Sequence, residues 1–84
     1  GNFIMSGNKK YTHILNPKTG FPATGINSVS VFAKSAELSD ASATSIFVMG
    51  LDAGLALINQ LGDTEVIIVD SANKMYKSNG ILLN

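Results

Sequence analysis

Polar and apolar residues alternate along the first third of this chain, give way to a helical period near residue 35, and alternate again from about residue 64. Asn2 to Ser6 and Lys9 to Leu15 read as short strands joined by Gly7-Asn8, a two-residue signal of the kind that closes a β-hairpin. On the second strand the period of two sets Tyr11, His13 and Leu15 on one face and Thr12 and Ile14 on the other. Asn27 to Ala33 alternates again, with Val29, Val31 and Ala33 on one side and Ser28, Ser30 and Phe32 on the other, which predicts a third strand. From Ser35 to Met49 the pattern is helical, with a serine available as N-cap at Ser35 or Ser39 and Gly50 placed where helices end. Asp52 is positioned to cap a second helix running through Leu61, with Leu55, Leu57, Ile58 and Leu61 as its apolar set and Gly62 as its stop. Thr64 to Val69 is rich in β-branched residues and predicts a buried strand, and the turn Asp70-Ser-Ala-Asn73 leads to a last strand from Lys74 to Ser78. Asn79-Gly80 signals a further turn with a short apolar tail beyond it. The predicted order is β-β-loop-β-α-α-β-β, an α+β domain with two helices on one face of a mainly antiparallel sheet.

Composition narrows the picture. At 84 residues the chain is a single small domain, and a chain of this size buries only about 60–65% of the surface its unfolded form exposes. Cysteine is absent, so neither disulfides nor a thiolate metal site adds stability. Six basic and six acidic side chains cancel, and no basic stripe offers a source of attraction to nucleic acid or to an anionic membrane. The longest apolar run, Ile46 to Met49, is far short of the ~20 residues that span a bilayer. The opening Gly1-Asn2-Phe3-Ile4 reads as the inside of a strand, with Gly1 a candidate processing remnant, so the expectation is a C-terminal piece of a longer protein.

Two segments carry candidate chemistry. His13-Ile-Leu-Asn-Pro-Lys-Thr-Gly-Phe-Pro22 is a loop stiffened by two prolines and loosened at one glycine, and it begins at the only histidine of the chain. His13 has a side chain whose ordinary pKa suits a general base for a hydroxyl nucleophile, although a lone strand histidine is more often half-buried against a backbone carbonyl. Lys18 is able to pair with a phosphate, and an exposed loop lysine is most often simply solvated. In the second segment, Glu37 to Gly50, Asp40 and Thr44 are four apart, so on a helix their side chains meet one turn above the other. A carboxylate and a hydroxyl are hard oxygen donors suited to Mg²⁺ or Ca²⁺ rather than Zn²⁺. The plainer alternative makes Asp40 a helix-start charge and lets Thr44 bond back to the carbonyl four residues earlier. No nucleophile elbow, Walker loop or dinucleotide fingerprint is present, and residue chemistry alone reaches a metal and phosphate-ester site and stops there.

Taken together, Tyr11-Thr-His-Ile-Leu-Asn-Pro-Lys-Thr-Gly-Phe-Pro22, Ser28-Val-Ser-Val31 and Ser39-Asp-Ala-Ser-Ala-Thr-Ser-Ile-Phe-Val-Met-Gly50 closely resemble the FAD:protein FMN transferase (ApbE-type) family. That family shows a His-Ile-x-Asp-Pro-x-Thr-Gly-x-Pro loop, a Ser-Val-Thr-Val-like strand, then Ala-Asp-Ala-x-Ala-Thr leading to Phe-Val-Met-Gly. The resemblance covers the whole chain but only the C-terminal part of the family's T-fold-like protein. It implies a Mg²⁺-dependent enzyme that cleaves the FAD pyrophosphate and transfers FMN to a threonine or serine of a target flavoprotein. Carried over by position, it makes Asp40 and Thr44 metal ligands and His13 the group that helps deprotonate the acceptor hydroxyl. Lys18, Thr19 and Gly20 then lie where the loop approaches the flavin nucleotide.

The same resemblance implies an exported parent on the periplasmic or outer face of a bacterial membrane, tethered by a lipid anchor outside this chain, with the upstream half of the parent as a further partner. Asn16 stands where the family commonly has aspartate, which removes a charge from the loop, and Ser39 replaces the usual alanine before Asp40. Two other readings remain open at this stage: a Mg²⁺-dependent FAD pyrophosphatase, in which water replaces the acceptor hydroxyl, and a non-catalytic flavin-binding or interaction module.

Overall fold

The alternating stretches pair into an antiparallel sheet because each has one apolar face to hide, and the helical stretch between them supplies the cover. A computed structural model of the chain describes residues 3–5, 12–17 and 25–83. In chain order the elements are strands β1 (Phe3–Met5), β2 (Thr12–Pro17) and β3 (Ile26–Ala33), helices α1 (Ala36–Met49) and α2 (Leu51–Leu61), and strands β4 (Glu65–Asp70), β5 (Met75–Lys77) and β6 (Ile81–Leu83). A four-stranded antiparallel sheet runs in the order β2-β3-β4-β5, and a two-stranded ribbon joins β1 to β6. The predicted α+β architecture is the one observed.

Both helices pack on the face of the sheet that carries Val29, Val31 and Ala33 from β3 and Val66 and Ile68 from β4, all fully buried. Ala43, Ile46 and Phe47 of α1 and Ile58 of α2 complete that core. Ile26 belongs to the same core, although strict alternation would give it the opposite face from Val29. A β-bulge between Ile26 and Ser28 re-phases the strand, because one extra residue inverts the side on which every earlier position falls. The second face holds a smaller cluster of Phe32, Ile67 and Ile81.

Ser35 caps α1 by accepting the Leu38 N–H at 3.1 Å. A single residue, Gly50 at φ 92°, ends α1 and starts α2, a left-handed backbone angle that a side chain would resist. Gly62 at φ 76° closes α2 in the left-handed conformation common at helix ends.

Four local expectations change. Asp52 lies in the first turn of α2 and not at its cap, and no described side chain caps that helix; the abrupt turn at Gly50 brings the helix start two residues earlier. The apolar tail after Gly80 is strand β6, and its partner is β1 at the other end of the chain. Accordingly, the hairpin expected between the first two strands is not the pairing seen among the described residues: β1 runs along β6, and β2 runs along β3 from Thr12↔Ala33 to Pro17↔Ser28. A turn dipeptide favours a local hairpin, but burial of Ile81 against Phe32 and Ile67 rewards the distant pairing, and such packing overrides local preference. Finally, β2 continues through Asn16 and Pro17, so half of the proline loop is strand; proline is tolerated there because β2 is an edge of the four-stranded sheet.

Candidate functional site

Helix α1 divides sharply into two sides. Ser39, Ser42, Ala43, Ile46 and Phe47, at spacings of three and four, are buried, whereas Glu37, Asp40, Ala41, Thr44 and Val48 are exposed. Asp40 and Thr44 therefore stand one turn apart on the open side, where a carboxylate and a hydroxyl face the same space. The helix backbone bond made by a side chain here belongs to a neighbour: Ser45 Oγ donates to the Ala41 carbonyl at 2.9 Å.

The buried side is unusual for a core face because it includes hydroxyls. Ser39 and Ser42 are almost wholly enclosed, and their Oγ atoms have no hydrogen-bond partner among the described residues, as is also true of Thr64 Oγ1. Small side chains at these two positions let α1 lie close against β2 and β3. That contact brings the strand bearing His13 beside the helix bearing Asp40 and Thr44. His13 stands opposite Phe32 in the β2-β3 register and Asn16 stands opposite Val29. Lys18, Thr19 and Gly20 lie outside the described residues. Among the described residues no three His, Cys, Asp or Glu side chains gather into a metal cluster.

The sequence did not single out a second polar centre at the far end of β4. Glu65 is buried, and its Oε1 accepts hydrogen bonds from Ser78 Oγ and, at 3.0 Å, from the Gly80 N–H. Ser78 Oγ in turn accepts the Val66 N–H at 2.8 Å. The signal was a lone carboxylate inside the β-branched run Glu65-Val-Ile-Ile-Val69, a charge that needs partners if it is to be buried.

The opposite end of β4 carries an exposed turn built on Asp70. Its Oδ1 accepts the N–H groups of Ala72 at 2.9 Å and Lys74 at 2.8 Å, and its Oδ2 accepts the Tyr76 hydroxyl at 3.0 Å. The Lys74 N–H, more than any other group, holds the Asp70 carboxyl below its ordinary range; desolvation opposes it as the next strongest influence, and the Tyr76 hydroxyl, the Ala72 N–H and the Lys74 charge add to the lowering. The same Asp70 bond pushes the Tyr76 phenol up.

With this arrangement of a stiff strand, a small-residue helix and an exposed Asp-x-x-x-Thr pair, residues 1–68 match the family model described as the ApbE family. The chain belongs to the ApbE family. It is 36% identical over 81 residues to an FAD:protein FMN transferase of Treponema pallidum, a match that takes in 95% of this chain and 22% of that protein. A protein of the same name from Vibrio cholerae is 34% identical over 80 residues, covering 92% of this chain and 24% of its own length. Another from Rhodobacter capsulatus is 31% identical over 74 residues, covering 88% and 14%. The chain thus spans a quarter or less of the curated relatives it matches. No solved structure is a significant match.

Proposed function

We propose that this chain is the C-terminal, metal-binding part of a longer protein that transfers FMN from FAD to a threonine or serine of a target flavoprotein. The observation that carries this reading is the pairing of Asp40 and Thr44 one turn apart on the open side of α1, in a family member whose relatives are named FAD:protein FMN transferase.

The donor chemistry fits Mg²⁺. One carboxylate and one hydroxyl, with no third acidic or imidazole ligand gathered among the described residues, match an ion that takes one or two protein ligands and keeps positions for water and substrate phosphate. When bound, the ion supplies charge neutralisation at the FAD pyrophosphate. The chain's own residues then divide the remaining work. Asp40 and Thr44 hold the metal. His13 takes the proton from the acceptor hydroxyl, whose oxygen forms a bond to the FMN phosphorus as the pyrophosphate bond breaks and AMP leaves. Lys18, Thr19 and Gly20 bind the flavin nucleotide. The expected setting is the outer face of a bacterial membrane, with a lipid anchor and the rest of the FAD pocket supplied upstream.

Hydrolysis of FAD is the rival reaction, because water can replace the acceptor hydroxyl, and it yields AMP with no labelled protein; the lost loop charge at Asn16 favours instead the non-catalytic flavin-binding module. The test is flavin transfer by the full-length parent, read by mass spectrometry on a threonine-containing acceptor with FAD and Mg²⁺. Transfer that disappears in Asp40→Ala supports both the activity and the metal site. Tight FAD binding without transfer or AMP release would leave the non-catalytic module as the better account.

A further inference from the structure

Asn79-Gly80 is the dipeptide most prone to spontaneous deamidation, because glycine places no Cβ in the way when its backbone nitrogen attacks the asparagine side chain. In that reaction the Gly80 nitrogen forms a bond to Asn79 Cγ, the Cγ–NH₂ bond breaks and ammonia leaves. Water then opens the resulting succinimide to aspartate or isoaspartate. The attacking nitrogen must give up its proton, so whatever holds the Gly80 N–H governs the rate.

In this fold that N–H is held by a buried carboxylate. Gly80 N donates to Glu65 Oε1 at 3.0 Å, and Ser78 Oγ donates to the same oxygen while accepting from the Val66 N–H. The turn is fixed on its other side as well: the Asn79 N–H donates to Asn59 Oδ1 at 2.8 Å, and the Ser78 N–H donates to the Val66 carbonyl at 3.0 Å. The Asn79 side chain itself belongs to an exposed residue, open to water and ready to react once the nitrogen is released.

We propose that Asn79 is a latent deamidation site, kept intact by the Glu65 clamp on the Gly80 amide. Conversion to isoaspartate inserts an extra backbone carbon between Ser78 and Gly80. The Gly80 N–H then no longer meets Glu65, and the turn that leads into β6, with its fully buried Ile81, is released. Loss of the clamp and loss of β6 packing therefore promote each other, giving the domain a built-in route of ageing.

The test compares the folded 84-residue chain, its Glu65→Leu variant and a synthetic peptide of residues 77–82 at neutral to mildly alkaline pH. Isoaspartate is read by enzymatic methyl labelling, and the site is assigned by peptide mass mapping, with Asn79→Gln as the silent control. The folded chain is expected to convert about tenfold or more slowly than the peptide, since the amide must first leave a charged acceptor and such a bond is worth about one or two tenfold steps in rate. Glu65→Leu, verified as folded by circular dichroism, is expected to approach the peptide. Equal rates for chain and peptide would overturn the protection, and a folded Glu65→Leu as slow as the wild type would overturn the role of Glu65. Should that variant unfold, Ser78→Ala, which removes one donor from Glu65, takes its place and is expected to convert faster than the wild type; if it also unfolds, the chain against the peptide decides.

Discussion

Among the described glycines, Gly80 leaves the least room for a side chain. A Cβ built there would lie 2.0 Å from Glu65 Oε2 and 2.3 Å from Glu65 Cδ, and the carboxylate cannot swing aside without abandoning Ser78 Oγ and the Gly80 N–H. Gly80→Ala should therefore destabilise the domain by about 1–3 kcal/mol, the cost of leaving buried polar groups unpaired, measured by urea unfolding. A neutral result would mean that Glu65 has another place to go.

Asp70 makes the opposite case, a residue whose contribution depends on pH. Its carboxyl is held below the ordinary value, chiefly by the Lys74 N–H, so its stabilisation is present above the unfolded-state value and is lost as pH falls through the folded one. Tyr76→Phe removes only the hydroxyl donor and leaves the Ala72 and Lys74 N–H groups in place. The carboxyl in that variant is expected to titrate higher than in the wild type yet still below an ordinary aspartate, as followed by carboxyl NMR. On the alkaline side the raised Tyr76 phenol works in reverse: its share is present below the unfolded tyrosine value and lost as pH rises through the folded one.

At the scale of elements, the joint between α1 and α2 decides how the helices cover the sheet. Gly54 approaches Ile46 so closely that a Cβ would sit 2.8 Å from Ile46 Cα and 2.9 Å from its Cγ1. In an open helix, replacing glycine by alanine gains about 1 kcal/mol. Here the obstacle is backbone and a fully buried side chain, neither of which yields, and overpacking costs about 1–3 kcal/mol. The clash wins, so Gly54→Ala should lower the melting temperature; a rise would show that the helices can slide apart without loss. The same joint accounts for the displaced start of α2. Its apolar pattern was legible, but the cap was not, because the turn is made by the backbone of Gly50 alone and leaves Asp52 inside the first turn.

Across the whole molecule, stability and the candidate chemistry sit on opposite sides of α1. The buried side of that helix and the two β-branched strands beneath it hold the core, while Asp40 and Thr44 are exposed. Asp40→Asn and Thr44→Val should thus leave the unfolding free energy within about 0.5 kcal/mol of the wild type, as surface substitutions do. Each is expected to abolish Mg²⁺-dependent flavin transfer when placed in the full-length parent. Parallel melting curves and transfer assays check both halves; a variant that loses stability and activity together would make the pair structural.

Periods of two and of three to four residues depend only on which side chains are apolar, so the sequence by itself determined five strands, two helices, their order and the division of β3 into an apolar face of Val29, Val31 and Ala33 and an opposite face. The Asp40 and Thr44 spacing was equally legible, since one helical turn fixes it. What only the tertiary structure decided depends on contacts between distant parts of the chain. Pairing of β1 with β6 rests on an Ile81 that finds its pocket between Phe32 and Ile67. The bulge that turns Ile26 into the core answers to β4 across the ladder. The Glu65 clamp joins residues 13 and 15 positions apart. No local pattern encodes these features, because each exists only where burial rewards two segments for meeting.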